Sequence, residues 1–330
     1  MKDLFPVIIV VLYLVINPSC ISTLTCPPNS KIFPCTCDSD LRQVTCEGQK
    51  FTTTTIFLKN IIRTFHDYVE TNERYFEHLL FHSNITDFSD INYPTLEEDV
   101  FGEISFKKIE IINISNFENI NYKAFSTKNA QFVEEFIIEH TNLSKVYLGS
   151  ISLTNLTYIS LANNKLTELP ENIFPNSEKL KTVDLKNNQI VIVSDRAFIN
   201  KPNLEYIDLS RNRISRIPPI SSLRNITINL SKNDFLWSGS GGYFTQPTHI
   251  ILDDNNFIYL DQSYFERFLN PIYKNTLSIK NNKIDCIHCN NKWLLFNNNT
   301  KLYQQNIYNM ECESMTRSFW ESNIEDFSRC

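Results

Sequence analysis

Three consecutive stretches decide the fold: LTYISLANNKLTELP from Leu156, LKTVDLKNNQIVIV from Leu180 and LEYIDLSRNRISRIP from Leu204 to Pro218. Their starts lie 24 residues apart both times. A constant period of this size marks an array whose units pack only on their neighbours. Within each copy, apolar Ile159 and Leu161, Val183 and Leu185, Ile207 and Leu209 alternate with other residues. That is the period of a short strand with one buried face. Asn164, Asn188 and Asn212 follow. An amide side chain carries two donors and an acceptor, enough to satisfy backbone groups left over where the chain turns away from a sheet.

The pattern L-x-x-L-x-L-x-x-N-x-L resembles the leucine-rich repeat template. The resemblance implies an α/β-type repeat solenoid: a leucine-rich repeat horseshoe with a parallel concave β-sheet. Extending the template gives starts at Tyr75, Lys107 and Val133 upstream and at Asn225, Pro247 and Lys274 downstream, nine repeats in all. Asn233, Asn255 and Asn282 continue the asparagine series, whereas Ser83, Ser115 and Thr141 stand in its place in the first three repeats. Phe125, Phe174, Phe198 and Phe265 each fall 18 residues after a repeat start, where a convex aromatic ladder is expected. Residues 51–74 fall outside the register, and the TTTTIFL run there has a strand composition. Close-packed strands backed by wider convex segments curve the array into an arc with an inner face of roughly 40 Å.

The chain has 330 residues, long for one compact core but not for a solenoid. Its net charge of −6 argues against nucleic acid or an anionic membrane as the main partner. At the N-terminus Lys2 precedes an apolar run, Val7 to Ile16, broken by Asn17, Pro18 and Ser19. This is the layout of a secretory signal, placed at residues 1–22, and it is about half the length needed to span a bilayer. No later segment reads as a membrane anchor, so the expectation is a secreted, extracellular chain, a monomer or weak homo-oligomer.

Nine cysteines fit that compartment once placed. Cys20 lies at the signal junction. Four fall before residue 50 and four after residue 285, with none between Cys46 and Cys286. A solenoid must seal both open ends of its core, and small sealing units are commonly stapled by disulfides. The expected organisation is an N-cap at 23–50, repeats at 51–285 and a C-cap at 286–330. Each group of four cysteines admits three pairings, and the Cys-x-x-Cys at Cys286 is also a zinc-ligand spacing. Cys26, Cys35, Cys37 and Cys46 resemble the N-terminal cap of extracellular leucine-rich repeat proteins. Cys286, Cys289, Cys312 and Cys330, with Trp293 close behind the first pair, resemble the C-terminal cap. The resemblance implies Cys26–Cys37, Cys35–Cys46, Cys286–Cys312 and Cys289–Cys330.

No catalytic signature occurs: no G-x-S-x-G, H-E-x-x-H, phosphate-binding loop or calcium-loop spacing. Catalytic, cofactor and metal sites are accordingly expected to be absent. His78 and His82 stand four apart, but the repeat register puts His78 inward and His82 at the turn. The concave face is the default binding surface of a solenoid. Tyr158, Asp184, Tyr206, Asp208, His249 and Asp253 project onto it in the regular repeats, an acidic and tyrosine-bearing surface suited to a protein or glycan ligand. In the first repeats Leu79, Phe81, Ile109, Ile111 and Ile137 fall in outward slots; a slip of one residue sends them into the core instead. Asn84, Asn113, Asn142, Asn155, Asn229 and Asn298 are sequons expected to carry glycans, and a seventh, Asn225, sits at a semi-buried strand start. The loop from Leu236 to Phe244 reads as an irregular connection whose Trp237 and Tyr243 cap the local core.

From N-cap to C-cap the chain resembles secreted arthropod leucine-rich repeat proteins. The CP-x(8)-CTC-x(8)-C cap, the repeat at Phe136 and the irregular N-terminal third are similar to chelicerate proteins described as like the non-catalytic subunit of Oplophorus luciferin 2-monooxygenase. That likeness supplies no catalytic residues. It implies a protein that binds something else: a recognition, adhesion or innate-immune module, or alternatively an accessory subunit stabilising a secreted enzyme.

Overall fold

A computed structural model describes residues 24–48, 54–83, 95–114, 117, 119–146, 148–236, 244, 246–313, 318–328 and 330. The signal segment, Cys20, Asn84, Ser115, Trp237 and Tyr243 lie outside the described residues.

Twelve strands form one sheet in chain order. The first two, β1 (Cys35–Asp38) and β2 (Gln43–Gly48), form an antiparallel pair. All later neighbours are parallel: β3 (Tyr75–Ser83), β4 (Ser105–Ile112), β5 (Glu135–Glu139), β6 (Tyr158–Ser160), β7 (Thr182–Asp184), β8 (Tyr206–Asp208), β9 (Ile226–Asn229), β10 (Thr248–Ile251), β11 (Thr276–Ser278) and β12 (Ile307–Tyr308). Ile159, Val183, Ile207, Ile228, Ile250 and Leu277 lie side by side and are fully buried. The core is therefore one continuous apolar stack behind the sheet.

Seven repeats keep the register read from sequence, and the first two do not. Lys108 pairs with Glu135, and Glu135 with Tyr158, so Phe106 is the equivalent of Leu156. His78 pairs with Lys108, which likewise makes Phe76, not Tyr75, the start of its repeat. Leu79, Phe81, Ile109 and Ile111 are consequently core residues, and only Ile137 of that group faces outward. The one-residue slip is the correct alternative for these four. Alternation could not decide, because YFEHLLFHS offers apolar residues in both phases. Packing decides: Phe76 sits between Phe65, met edge-on at 5.4 Å, and Phe106, tilted against it at 5.6 Å. The opposite phase would bury His78 and Glu110, a large desolvation cost.

From Thr54 onward the TTTTIFL stretch is helical, not a strand: α1 spans Thr54–Tyr68. Leu58, Ile61, Ile62, Phe65 and Val69 are buried and recur at helical spacing. Tertiary burial of that stripe overrides the β-branched composition.

The asparagine series ties repeat to repeat. Asn188 Nδ2 donates to Leu161 O (2.9 Å) in the preceding repeat and Leu185 O (3.1 Å) in its own, while Oδ1 accepts from Leu166 N (3.0 Å). Asn164, Asn212, Asn233, Asn255 and Asn282 repeat this pattern. One residue earlier, each repeat from Asn113 to Asn281 adopts a left-handed φ, between 54° and 58° at Asn113, His140, Asn163, Asn187, Arg211, Lys232, Asp254 and Asn281. The turn is thus a shared backbone device, and Asn is among the residues that tolerate it best. The expected aromatics are buried too. Phe174 and Phe198 stack at 5.3 Å, Phe125 meets Phe101 at 4.8 Å, and Phe265 packs on Phe257 at 6.2 Å.

The ends are sealed by disulfide-bonded caps, Cys26–Cys37 and Cys35–Cys46 at one end, Cys286–Cys312 and Cys289–Cys330 at the other. The N-cap lays β2 against β3, and the C-cap adds β12 beyond β11. Trp293 is buried in the C-cap and its indole N–H donates to Leu260 O (3.1 Å).

Candidate binding surface

Outward side chains on the concave sheet form rows one strand apart. One row runs His78, Lys108, Glu135, Tyr158, Thr182, Tyr206, Thr227, His249 and Thr276. The next runs Leu80, Glu110, Ile137, Ser160, Asp184, Asp208, Asn229, Ile251 and Ser278. Tyr158, Asp184, Tyr206, Asp208 and His249 thus share two adjacent rows, with Asp253 just beyond the end of its strand.

The acidic residues are less open than their positions suggest. Asp184 Oδ1 accepts from Lys186 N (3.0 Å) and Asp208 Oδ1 from Ser210 N (2.9 Å). Ser160 and Asn229 make the same contact with the residue two ahead. This position therefore ties off the strand end in four successive repeats. The remaining oxygen of Asp184 is held by Lys186 Nζ at 2.8 Å. Asp208 Oδ2 instead accepts from Tyr206 Oη (3.2 Å) and Asn229 Nδ2 (3.3 Å), and among the described residues no cation lies within ion-pair distance of it. Asp253 Oδ1 accepts from Ser278 Oγ (2.7 Å) and Lys280 N (2.8 Å).

Burial, reinforced by Asp184, holds the Tyr158 phenol above its ordinary pKa; burial and Asp208 do the same for Tyr206. Both stay protonated donors. Burial pushes the His249 imidazole down, against the opposing pull of Asp253. It sits 2.7 Å from Thr276 Oγ1 and edge-on to Tyr308.

The N-terminal strands present a charged lattice that the slipped register hid. His78 and His82 both face outward, not inward and at the turn. His78 Nε2 lies 2.6 Å from Glu110 Oε2, Lys108 Nζ 2.9 Å from Glu110 Oε1, and His82 Nε2 3.3 Å from Glu47 Oε1. Lys108 also reaches Glu135 at 3.6 Å. The hydrogen bond from His78 lowers the Glu110 pKa; burial opposes this, and Lys108 adds to it. A carboxylate with a depressed folded pKa stabilises the fold above its unfolded pKa, and that contribution is lost as pH falls through the folded value. The stability gap between wild type and Glu110→Gln is therefore expected at neutral pH and should close as pH drops below about 4. Urea midpoints of the two proteins from pH 7 to pH 3 measure it; a pH-independent gap would contradict the assignment.

Asn113, Asn142 and Asn298 are exposed, and Asn155 and Asn229 are partly buried. Asn225 is exposed, contrary to its expected semi-buried place. Among the described residues no group of three or more His, Cys, Asp or Glu is arranged to hold a metal, and no helix is long and apolar enough to cross a membrane.

The family model described as Leucine rich repeat matches residues 154–214 and 178–235, within the same repeats whose strands and asparagines are described above. The chain folds as a leucine-rich repeat solenoid with disulfide-bonded caps. Solved structures that this solenoid matches include human 5T4, also called Wnt-activated inhibitory factor 1 or trophoblast glycoprotein, at 15% identity. That match covers 67% of this chain and 93% of the other, with a TM-score of 0.40. The LRIM1/APL1C complex matches at 16% identity over 65% of this chain and 46% of that one, TM-score 0.43. The TLR13–ssRNA13 complex matches at 17% over 70% and 35%, TM-score 0.44. The solenoid thus spans less than half of the matched chains in the last two. A comparison with curated proteins returned no match. None of the structures named concerns a luciferase or its subunits.

Proposed function

We propose that this chain is a secreted, non-enzymatic recognition protein that binds a protein partner on its concave sheet. The supporting observation is the Tyr158, Thr182, Tyr206 and Thr227 row on four consecutive strands, beside the Asp208 carboxylate, which makes no ion pair among the described residues. Tyrosines, with an apolar body and a polar tip, are enriched at interface hot spots. The disulfide-bonded caps suit an oxidising compartment, which agrees with the signal read at residues 1–22. Glycans at Asn113, Asn142, Asn155, Asn229 and Asn298 accompany this reading. One at Asn229, the strand next to Asp208, would bound the footprint on its C-terminal side and leave the Tyr158–Tyr206 segment open.

Capture from native secretions with the full chain, compared with Tyr158→Ala/Tyr206→Ala, tests the footprint. Loss of two hot-spot tyrosines is expected to weaken the captured partner about 30-fold or more. A partner retained equally by the variant would overturn the concave reading. A stoichiometric enzyme in the captured material would assign the accessory-subunit role instead.

A further inference from the structure

We propose that the rim where the strands leave the sheet carries a second, independent site: a strip for a sulfated glycan chain, formed by Lys165, Arg211, Arg213 and Lys232. The backbone there continues the sheet ladder. Asn163 N donates to Lys186 O (3.0 Å), Asn187 N to Ser210 O (2.9 Å), Arg211 N to Ser231 O (2.9 Å) and Lys232 N to Asp253 O (2.9 Å). Residues in this slot therefore stand about 4.8 Å from their counterparts in the next repeat. Arg211 and Arg213 flank the buried Asn212, so one repeat projects two guanidinium groups from the same edge. Lys232 adds a cation one repeat later, and Lys165 two repeats earlier.

Two observations set these cations apart. Lys165, Arg211 and Arg213 are exposed and make no ion pair among the described residues, and Lys232 meets Asp254 only at 4.0 Å. Other cations of the same repeats are engaged: Lys186 with Asp184, Arg196 with Glu171, Arg216 with Asp195. Moreover, Arg211 and Lys232 occupy left-handed turns, φ 55° and 56°, in a slot that Asn113, Asn163, Asn187 and Asn281, with His140 and Asp254, fill elsewhere. A long cation is a poorer choice than asparagine for that backbone, and residues held in disfavoured conformations concentrate at functional sites.

The chemistry of the strip selects among polyanions. Guanidinium forks match the planar spread of sulfate or phosphate oxygens. Between the cations stand Asn187 and Gln189, exposed amides able to bond sugar hydroxyls. No aromatic residue occupies the corresponding positions of these repeats, whereas single-stranded nucleic acid is held by aromatic stacking. Asp234 and Asp254 close the strip on its C-terminal side. A flexible sulfated polysaccharide lying along the rim satisfies all of this, and it leaves the concave tyrosines free.

The test is retention of the full chain on immobilised heparin under a salt gradient, with chemically desulfated heparin and oligo-dT as parallel probes. Arg211→Asn/Arg213→Gln copies the Asn187 and Gln189 of the neighbouring repeat, so the variant keeps a turn the fold already uses. Wild type should remain bound beyond about 0.15 M salt. The double variant should bind heparin about five- to tenfold more weakly, with a shallower salt dependence. Tyr206→Ala should bind heparin as wild type does, which separates this site from the concave one. Failure of wild type to bind, or equal binding by the double variant, would overturn the strip. Equal retention on desulfated heparin or oligo-dT would overturn the sulfated-glycan assignment.

Discussion

Asn212→Ala is expected to destabilise the solenoid by about 3–5 kcal/mol, since each buried backbone group left without a partner costs about 1–3 kcal/mol. The wild-type amide donates to Leu185 O (3.0 Å), Leu209 O (3.0 Å) and Ser210 O (3.2 Å), and its oxygen accepts from Ile190 N (3.0 Å). Alanine removes all four contacts at a buried site, where water cannot replace them. The contacts also join two consecutive repeats, so the coupling between neighbours weakens along with the local turn. Asn212→Asp should be no milder at neutral pH, because one carboxylate oxygen would face the three carbonyls that the amide nitrogen now serves. Urea unfolding followed by circular dichroism measures both variants. A loss below about 1 kcal/mol for the alanine variant would mean that the turn is held by its backbone alone.

Sequence spelled out this part of the molecule because each rule acted locally. Leucine spacing, strand alternation and the asparagine slot agree at Leu156, Leu180 and Leu204, and the same three signals carry the register to Lys274. Upstream they part company. Apolar residues occupy both phases of Tyr75–Ser83, and the phase is settled by Phe76 meeting Phe65 on a helix that composition had marked as a strand. Such long-range packing leaves no short-range trace. The concave site was legible as positions but not as chemistry. Asp184 and Asp208 fall where the repeat places them, yet most of their bonding capacity goes to strand ends and to Lys186, which only coordinates reveal. The lattice that His78, Lys108 and Glu110 form beside Glu135 was hidden for a simpler reason. One residue of slip turned its outward row inward.

Opening the outer bridge of the C-cap, by Cys289→Ala/Cys330→Ala, is expected to cost more than opening either bridge of the N-cap. The chain-entropy argument scales with the loop that the bond closes. Cys289 and Cys330 are 41 residues apart, Cys286 and Cys312 are 26, and each N-cap pair only 11. The expected losses are about 4, 3.5 and 3 kcal/mol in that order. The consequence is also local. The C-cap supplies β12, which covers the edge of β11, and it buries Trp293 and Phe327 over the last repeat. Without the bridge that cover should lift before the middle repeats melt, because a solenoid unit is held only by its neighbours. Trp293 fluorescence should therefore shift to the red at a lower urea concentration than the loss of sheet signal, whereas the two transitions coincide in wild type. Coincident transitions in the variant would show instead that the cap and the repeats unfold as one unit. Their cooperativity would then rest on the Trp293 anchor to Leu260 and the apolar stack beneath it, with the bridge adding stability but no boundary.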